Sequence, residues 1–496
     1  MASQIELEYQ QNYNQKSVLI IGAGPCGLTN LKYLNNKVNV ICIDCKQDLG
    51  GQWCLDKYTE ETHPNLQSNA FYKQHGFLQS SMYEKLICNV PKSLMVFKDS
   101  PAQQEYDEFM TCSQFYQYLQ DYSIKHQIKK NILFKTYVQS VRLAANLSDE
   151  EKNQAGIQIS KKFLIQIVSS DDYTQNSRYL QADYVIVANG HYSVPNIPYI
   201  PNKDIFKAET FHTHQYRENL IQKFQNKHLV IYGCGFSSQD IFYILLKKTP
   251  ENKRPSKITV IGNEIIIGYF KQSKNYQQEI ESGILTFLSP YIKEFESENS
   301  LVLQDGQKVE NIDIFMYATG YQYTFPFLDF EKDKLIDLHQ RRGINYSLGP
   351  LYLRTFSIRE PNLIFVGVLQ QILSTQQGIE RQSIFVSKVI SDEIKLPNQQ
   401  DMQEDFEKNY QEALNKYKDG NQYIKFAQIQ GIDEFEFFRQ IGKLCDIPCD
   451  EEYNNYVLKY LFPLYVNAHL GNYPDLKSSD VTSQLPRNYY PKSGHF

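Results

Sequence analysis

The stretch Ser17-Val-Leu-Ile-Ile-Gly-Ala-Gly-Pro-Cys-Gly27 decides how the rest of the chain is read. Ser17 to Ile21 is a short β-branched apolar run. Gly22, Gly24 and Gly27 follow as G-x-G-x-x-G, and Leu28, Leu31 and Leu34 then recur at helical spacing. The pattern is strand, tight turn, helix. Gly22 permits the turn, Gly24 lets backbone N–H groups approach a pyrophosphate, and Gly27 lets the helix pack closely on the strand. The next apolar run, Val38 to Ile43, ends at Asp44. That is about 20 residues on, where a carboxylate can accept hydrogen bonds from a ribose 2′-OH. A βαβ unit with a right-handed crossover results. The negative charge of Asp44 would repel a 2′-phosphate, so this first turn suits FAD or NAD rather than NADP.

Gly50-Gly51-Gln52-Trp53 comes almost at once, and Trp53 is the only tryptophan. Two glycines before a large flat ring suit a backbone passing close to a cofactor, with the indole as one wall. A glycine turn followed by a core tryptophan is the alternative. Residues 146–162 are polar and charged between two strand-like runs, which reads as a solvated hairpin loop. Tyr184 to Val187 is another buried strand, and the proline-rich run after it cannot continue as a helix or central strand.

A second strand, turn and helix begins at His228. Its turn carries Gly233 and Gly235, with Ser238 in the third glycine's place, where a small residue still permits close packing. The following strand is Lys257 to Gly262, and the block closes near residues 312–320, including Thr319 and Gly320. Chain character then returns to that of the first unit. The expected organisation is therefore α/β, with two Rossmann-like dinucleotide-binding units, the smaller inserted into the larger. Residues 1–220 and 321–496 form the larger unit with a C-terminal helical extension, and 221–320 the insert. A 2′-phosphate usually meets a cation just past the second strand, yet here stand Asn263 and Glu264. Lys253 and Arg254 precede that strand, and whether they reach the site is left open by the sequence.

Composition agrees with a folded enzyme. The 496 residues are 42% hydrophobic and 22% charged, with 51 Lys and Arg against 56 Asp and Glu. A net charge of −5 gives no electrostatic reason to bind nucleic acid or an anionic membrane. No run reaches the ~18 apolar residues of a membrane span, and the N-terminus shows no signal-peptide pattern. Nine scattered cysteines fit a reducing compartment, and the expected location is the cytoplasm. No His, Cys, Asp and Glu grouping has zinc spacing; His212 and His214 lack further ligands, and Cys445 and Cys449 read as structural thiols. Residues 456–466 hold an apolar run interrupted by Lys459 and Pro463, read as a packing segment.

At this point the motifs resemble those of the flavin-containing monooxygenases. Phe206, Ala208, His212 and Tyr216 are similar to the family signature FxGxxxHxxxY, with alanine in place of glycine. The final tyrosine favours the N- and S-oxygenating branch. Residues 80–92, with Tyr83, Leu86, Asn89, Pro91 and Lys92, look like the family's active-site stretch. YATGY at 317–321, NLIFVG at 362–367 and Ile379-Glu380-Arg381-Gln382 match in order, so the resemblance spans roughly residues 17 to 445.

The resemblance implies a dimethylaniline monooxygenase-like oxidoreductase with FAD in the larger unit and NADP in the insert. NADPH reduces FAD, O₂ forms a flavin C4a-hydroperoxide, and that species oxygenates a soft nitrogen or sulfur atom of a small molecule. By carry-over, Asn89 is the catalytic candidate, hydrogen-bonding near the flavin. The cofactor-binding candidates are Gly22, Ala23, Gly24, Pro25, Cys26, Gly27, Asp44, Gly51, Gln52, Trp53 and Asn89, with Gly233, Gly235, Ser237, Ser238, Asp240, Thr319 and Gly320. A homodimer stays open. Two other readings compete. A disulfide or quinone reductase needs a redox cysteine pair against the flavin, and a flavin-binding NAD(P)H oxidase or sensor would have lost efficient oxygenation.

Overall fold

The computed structural model describes residues 3–12, 14–56, 79–170, 177–289, 291–341, 344–369, 374–417, 433–449, 451–457 and 459. Its framework is a seven-stranded sheet ordered Leu351–Tyr352, Phe356–Ser357, Leu363–Phe365, Tyr184–Val187, Ser17–Ile21, Asn39–Ile43 and Ile132–Leu133. The last five strands run parallel. Every residue of Ser17–Ile21 is buried, as a central parallel strand covered on both faces requires. Val18 and Ile20 enter a core under the helices Pro25–Leu34 and Thr375–Ile390. Leu19 and Ile21 enter the opposite core, shared with an antiparallel meander of Thr136–Leu143, Phe163–Ser169 and Arg178–Ala182.

The second sheet has five parallel strands, ordered Leu285–Leu288, Lys257–Ile261, His228–Tyr232, Ile314–Tyr317 and Glu209–His212. All of it lies in sequence between Tyr184–Val187 and Leu363–Phe365, which are hydrogen-bonded neighbours in the first sheet. A start at residue 221 would leave out one of its strands. Glu209–His212 pairs with Ile314–Tyr317, and Ile200 and Phe206 enter the same core, with Phe206 stacked 4.1 Å from Phe295. The chain thus enters this unit about twenty residues earlier than polarity alone marks it.

A second correction concerns residues 146–162. Instead of a plain loop, Asp149–Ala155 is a helix. Ser148 and Glu151 form a reciprocal capping box, and Gly156 ends the helix in the left-handed conformation. After Ile379 the chain is helical, as expected, at Gln399–Tyr417, Asp433–Cys445 and Glu451–Tyr456. Most of the 456–466 run lies outside the described residues. Among the described residues, no helix is long and apolar enough to cross a membrane.

Candidate functional site

Each glycine turn sits at the C-terminal end of the middle one of its sheet's five parallel strands, where parallel α/β sheets take nucleotides. Gly22 has φ +103°, and a Cβ on it would lie 2.5 Å from the Ala188 carbonyl oxygen. A Cβ on Gly27 would lie 1.9 Å from the Gly22 oxygen, so the helix Pro25–Leu34 meets the turn backbone to backbone. Asp44 is only 7% exposed. Its carboxylate accepts from Ala23 N–H at 2.6 Å and Lys46 N–H at 2.8 Å. Burial pushes its pKa up, and those two hydrogen bonds oppose the shift. Asp44 therefore braces the turn from beneath, a task the sequence did not assign to it.

Gly50-Gly51-Gln52-Trp53 closes over this turn. Gly50 N–H donates to the Ala23 carbonyl at 2.9 Å. A Cβ built on Gly51 would come within 2.9 Å of Gly24 Cα, so the two glycine segments face each other with backbone alone between them. The first turn of the helix Pro25–Leu34 carries no acid. The space above Gly24 is thus a cradle of unshielded N–H groups at a helix N-terminus, which fits a dinucleotide pyrophosphate. Pro25 at the helix start has no N–H to lose, and Cys26 Sγ fills the space where a Cβ on Gly367 would stand.

Gln52 fastens neighbouring segments. Its Oε1 accepts from Ser81 N–H at 2.7 Å and Ser81 Oγ at 3.0 Å, and its Nε2 donates to Ser193 Oγ at 3.1 Å. Ser80 Oγ donates to the Gln52 carbonyl. The Trp53 ring meets Phe115 edge-on at 4.5 Å, so one side of the indole packs on the core. Asn89 is half-buried between the buried residues Cys88 and Val90. Its segment is held by Tyr83, whose hydroxyl donates to Asp240 at 2.6 Å, and by Lys92, whose Nζ donates to the Tyr106 carbonyl at 2.6 Å.

The second turn repeats the first. Gly233 has φ +118°, and a Cβ on it would lie 2.2 Å from the Ala318 oxygen. Gly235 precedes the helix Phe236–Tyr243, which carries Ser237, Ser238 and Asp240. Ser238, in the third glycine's place, is fully buried, and its Oγ has no hydrogen-bond partner among the described residues. Thr319 and Gly320 serve a crossing between the two units: Asn196 Nδ2 donates to the Thr319 carbonyl at 3.0 Å, and Asn196 N–H to the Gly320 carbonyl at 2.8 Å. The alanine at 208 costs nothing, since its backbone avoids the left-handed region that would demand glycine.

One residue escaped the sequence reading. Arg217, directly after the signature, is fully buried. Its guanidinium donates to the carbonyls of Asp56 at 3.0 Å, His214 at 3.2 Å, Tyr216 at 2.7 Å and Ser80 at 2.7 Å. It ties the signature loop of the insert to both ends of residues 56–80. A charge immediately following an aromatic signature residue is the one sequence sign of it.

His212 and His214 lie beside this clamp. His214 N–H donates to His212 Nδ1 at 3.0 Å, and both rings meet Tyr321 edge-on. Burial holds His212 and His191 down to about 4, and His214 to about 3. Unfolded, each takes a proton as pH falls through about 6.5; folded, each stays neutral well below that. The unfolded state binds more protons in this window, so stability is complete above pH ~6.5 and declines as pH falls toward 4. The melting temperature is expected to drop between about pH 7.5 and 5, with a shallower slope in His214→Asn. Equal slopes would place the acid sensitivity elsewhere.

The fold and the two turns define the class: a flavoprotein oxidoreductase with paired dinucleotide sites. Residues 15–252 and 268–468 match the family described as flavin-binding monooxygenase-like, and the chain belongs to that family. It is therefore a flavin-dependent monooxygenase, in a family whose cofactors are FAD and NADP and whose substrates offer nucleophilic nitrogen or sulfur. The chain is 28% identical over 441 residues to flavin-containing monooxygenase FMO GS-OX-like 8 of Arabidopsis thaliana, covering 86% of this chain and 88% of that protein. Senecionine N-oxygenase of Tyria jacobaeae is 25% identical, covering 87% and 83%. The structure of S-allyl-L-cysteine S-oxygenase from Allium sativum shares the fold, with TM-score 0.73 at 23% identity over 95% and 97% of the two chains.

Proposed function

We propose that this enzyme holds FAD on its first turn and a nicotinamide dinucleotide on its second, and transfers one oxygen atom of O₂ to nitrogen or sulfur of a small molecule. The carrying observation is the segment 80–92. Through Ser80, Ser81 and Gln52 it is fixed to the glycine pair that closes over the first turn, and through Tyr83 and Asp240 to the helix of the second, so that the stretch carrying Asn89 is tied to both.

Bound there, FAD supplies the two-electron chemistry that couples the nicotinamide to O₂. The chain's own residues bind, orient and exclude water. With no side chain on Gly24 or Gly51, the helix N–H groups would stay uncovered for the pyrophosphate, and Asp44 would brace the turn while retaining lone pairs for the ribose. Trp53, backed by Phe115, walls one side. Asn89 would offer an amide donor and acceptor to the flavin. The N–H groups after Gly235 would receive the second pyrophosphate. Incubation with NADPH, O₂ and a simple thioether or tertiary amine tests this reading; the expected products are the sulfoxide and the N-oxide.

A further inference from the structure

The two turns share their backbone bonding, and aligning them on it isolates the residues that face each nucleotide's ribose. Gly22 N–H donates to the Ile43 carbonyl and Gly233 N–H to the Ile261 carbonyl, each at 2.8 Å. The residue after Ile43 is Asp44, whereas the residue after Ile261 is Gly262. In the second turn Cys234 stands where Ala23 stands in the first, and its thiol takes the space of the missing carboxylate. A Cβ on Gly262 would lie 2.5 Å from Cys234 Sγ, and Asn263 N–H donates to that sulfur at 3.2 Å. The acid that grips a ribose diol and rejects a 2′-phosphate is therefore absent from the second site.

Among the described residues leaving the strand ends of this sheet, no cation stands free to grip a 2′-phosphate either. All five strands of this sheet are parallel, so their C-terminal ends share one edge. Among the described residues, 213–217, 233–246, 262–270, 289, 291–292 and 318–322 leave that edge, and they contain one Lys or Arg, Arg217. Its guanidinium is spent on four backbone carbonyls. Lys253 and Arg254 precede Lys257, at the opposite end of a strand roughly 16 Å long, and Arg254 Nε donates to the Thr249 carbonyl. Their strand points them away from the site. Past the strand, Asn263 is spent as an N-cap, accepting from Ile265 and Ile266 N–H, and Glu264 is exposed.

We propose that the second site does not select at the ribose 2′ position and binds NAD⁺ and NADP⁺ with affinities within about tenfold of each other. The inference rests on the second turn being the nicotinamide site. Asn263 and Glu264 then occupy the positions where a 2′-selecting residue would stand.

Titration calorimetry of the FAD-loaded protein with NAD⁺ and with NADP⁺ tests it without turnover. The expected ratio of dissociation constants lies within about tenfold in either direction, and Glu264→Arg raises NADP⁺ affinity about tenfold while leaving NAD⁺ unchanged. The double variant Cys234→Ala with Gly262→Asp, which makes room for the carboxylate, shifts preference to NAD⁺. A ratio beyond tenfold in the unmodified protein, or no gain in Glu264→Arg, overturns the proposal while leaving the enzyme's class intact. Binding of neither nucleotide overturns the nicotinamide site itself, and this inference with it.

Discussion

Gly24→Val is expected to purify folded but colourless. The φ of Gly24 is −76°, open to any residue, and an added Cβ would meet Gly51 Cα at 3.5 Å, an ordinary contact. The backbone therefore tolerates a side chain here. The two further methyl groups of valine reach past that contact, over the helix N–H groups proposed to hold the pyrophosphate. Losing two charge-assisted hydrogen bonds, at about 1.5–3 kcal/mol each, weakens FAD binding by roughly a hundredfold to ten-thousandfold. FAD per chain after purification, and titration of the apoprotein with FAD, measure this. Gly24→Ala serves as the milder control and should retain more flavin. A Gly24→Val protein as yellow as the parent would move the pyrophosphate away from this turn.

Asn89→Ala is expected to keep FAD and go on consuming NADPH, but to release hydrogen peroxide in place of oxygenated product. Its segment is anchored on both sides, by Tyr83 on Asp240 and by Lys92 on the Tyr106 carbonyl, so truncating a half-buried amide leaves the backbone in place. A lost positioning hydrogen bond of about 1–3 kcal/mol corresponds to roughly a ten- to hundredfold fall in oxygenated product per NADPH. The readout is that ratio at unchanged flavin content. Unaltered coupling would return Asn89 to a turn residue before Val90 and Pro91.

Both glycine turns were legible because their causes are local. An apolar β-branched run, a glycine forced to positive φ and a helix that must approach within van der Waals distance are all written within eleven residues, and Gly22 and Gly233 meet those demands in the same way. What stayed hidden depends on distant chain. Glu209–His212 looks like any short strand, and only its parallel partner Ile314–Tyr317, about a hundred residues later, assigns it to the second sheet. Arg217 reads as a surface charge because backbone carbonyls from three separate segments, which no residue pattern encodes, replace its water. The charge of Asp44 points toward a ribose in the sequence, and its hydrogen bond to Ala23 N–H emerges only once the turn is folded over it. The helix Asp149–Ala155 was missed although its capping box, Ser148 with Glu151, is written in the sequence. Its polarity outweighed its spacing.

The most direct test of the account is the fate of reducing equivalents and oxygen in the purified, FAD-loaded enzyme. With NADPH, isotopically labelled O₂ and a thioether or tertiary amine, sulfoxide or N-oxide should form in near-stoichiometric proportion to NADPH consumed, carrying label from O₂ in its new oxygen atom. Complete conversion of NADPH to hydrogen peroxide across a panel of nitrogen and sulfur nucleophiles would contradict it, and would make the protein a flavin-dependent oxidase built on a monooxygenase fold.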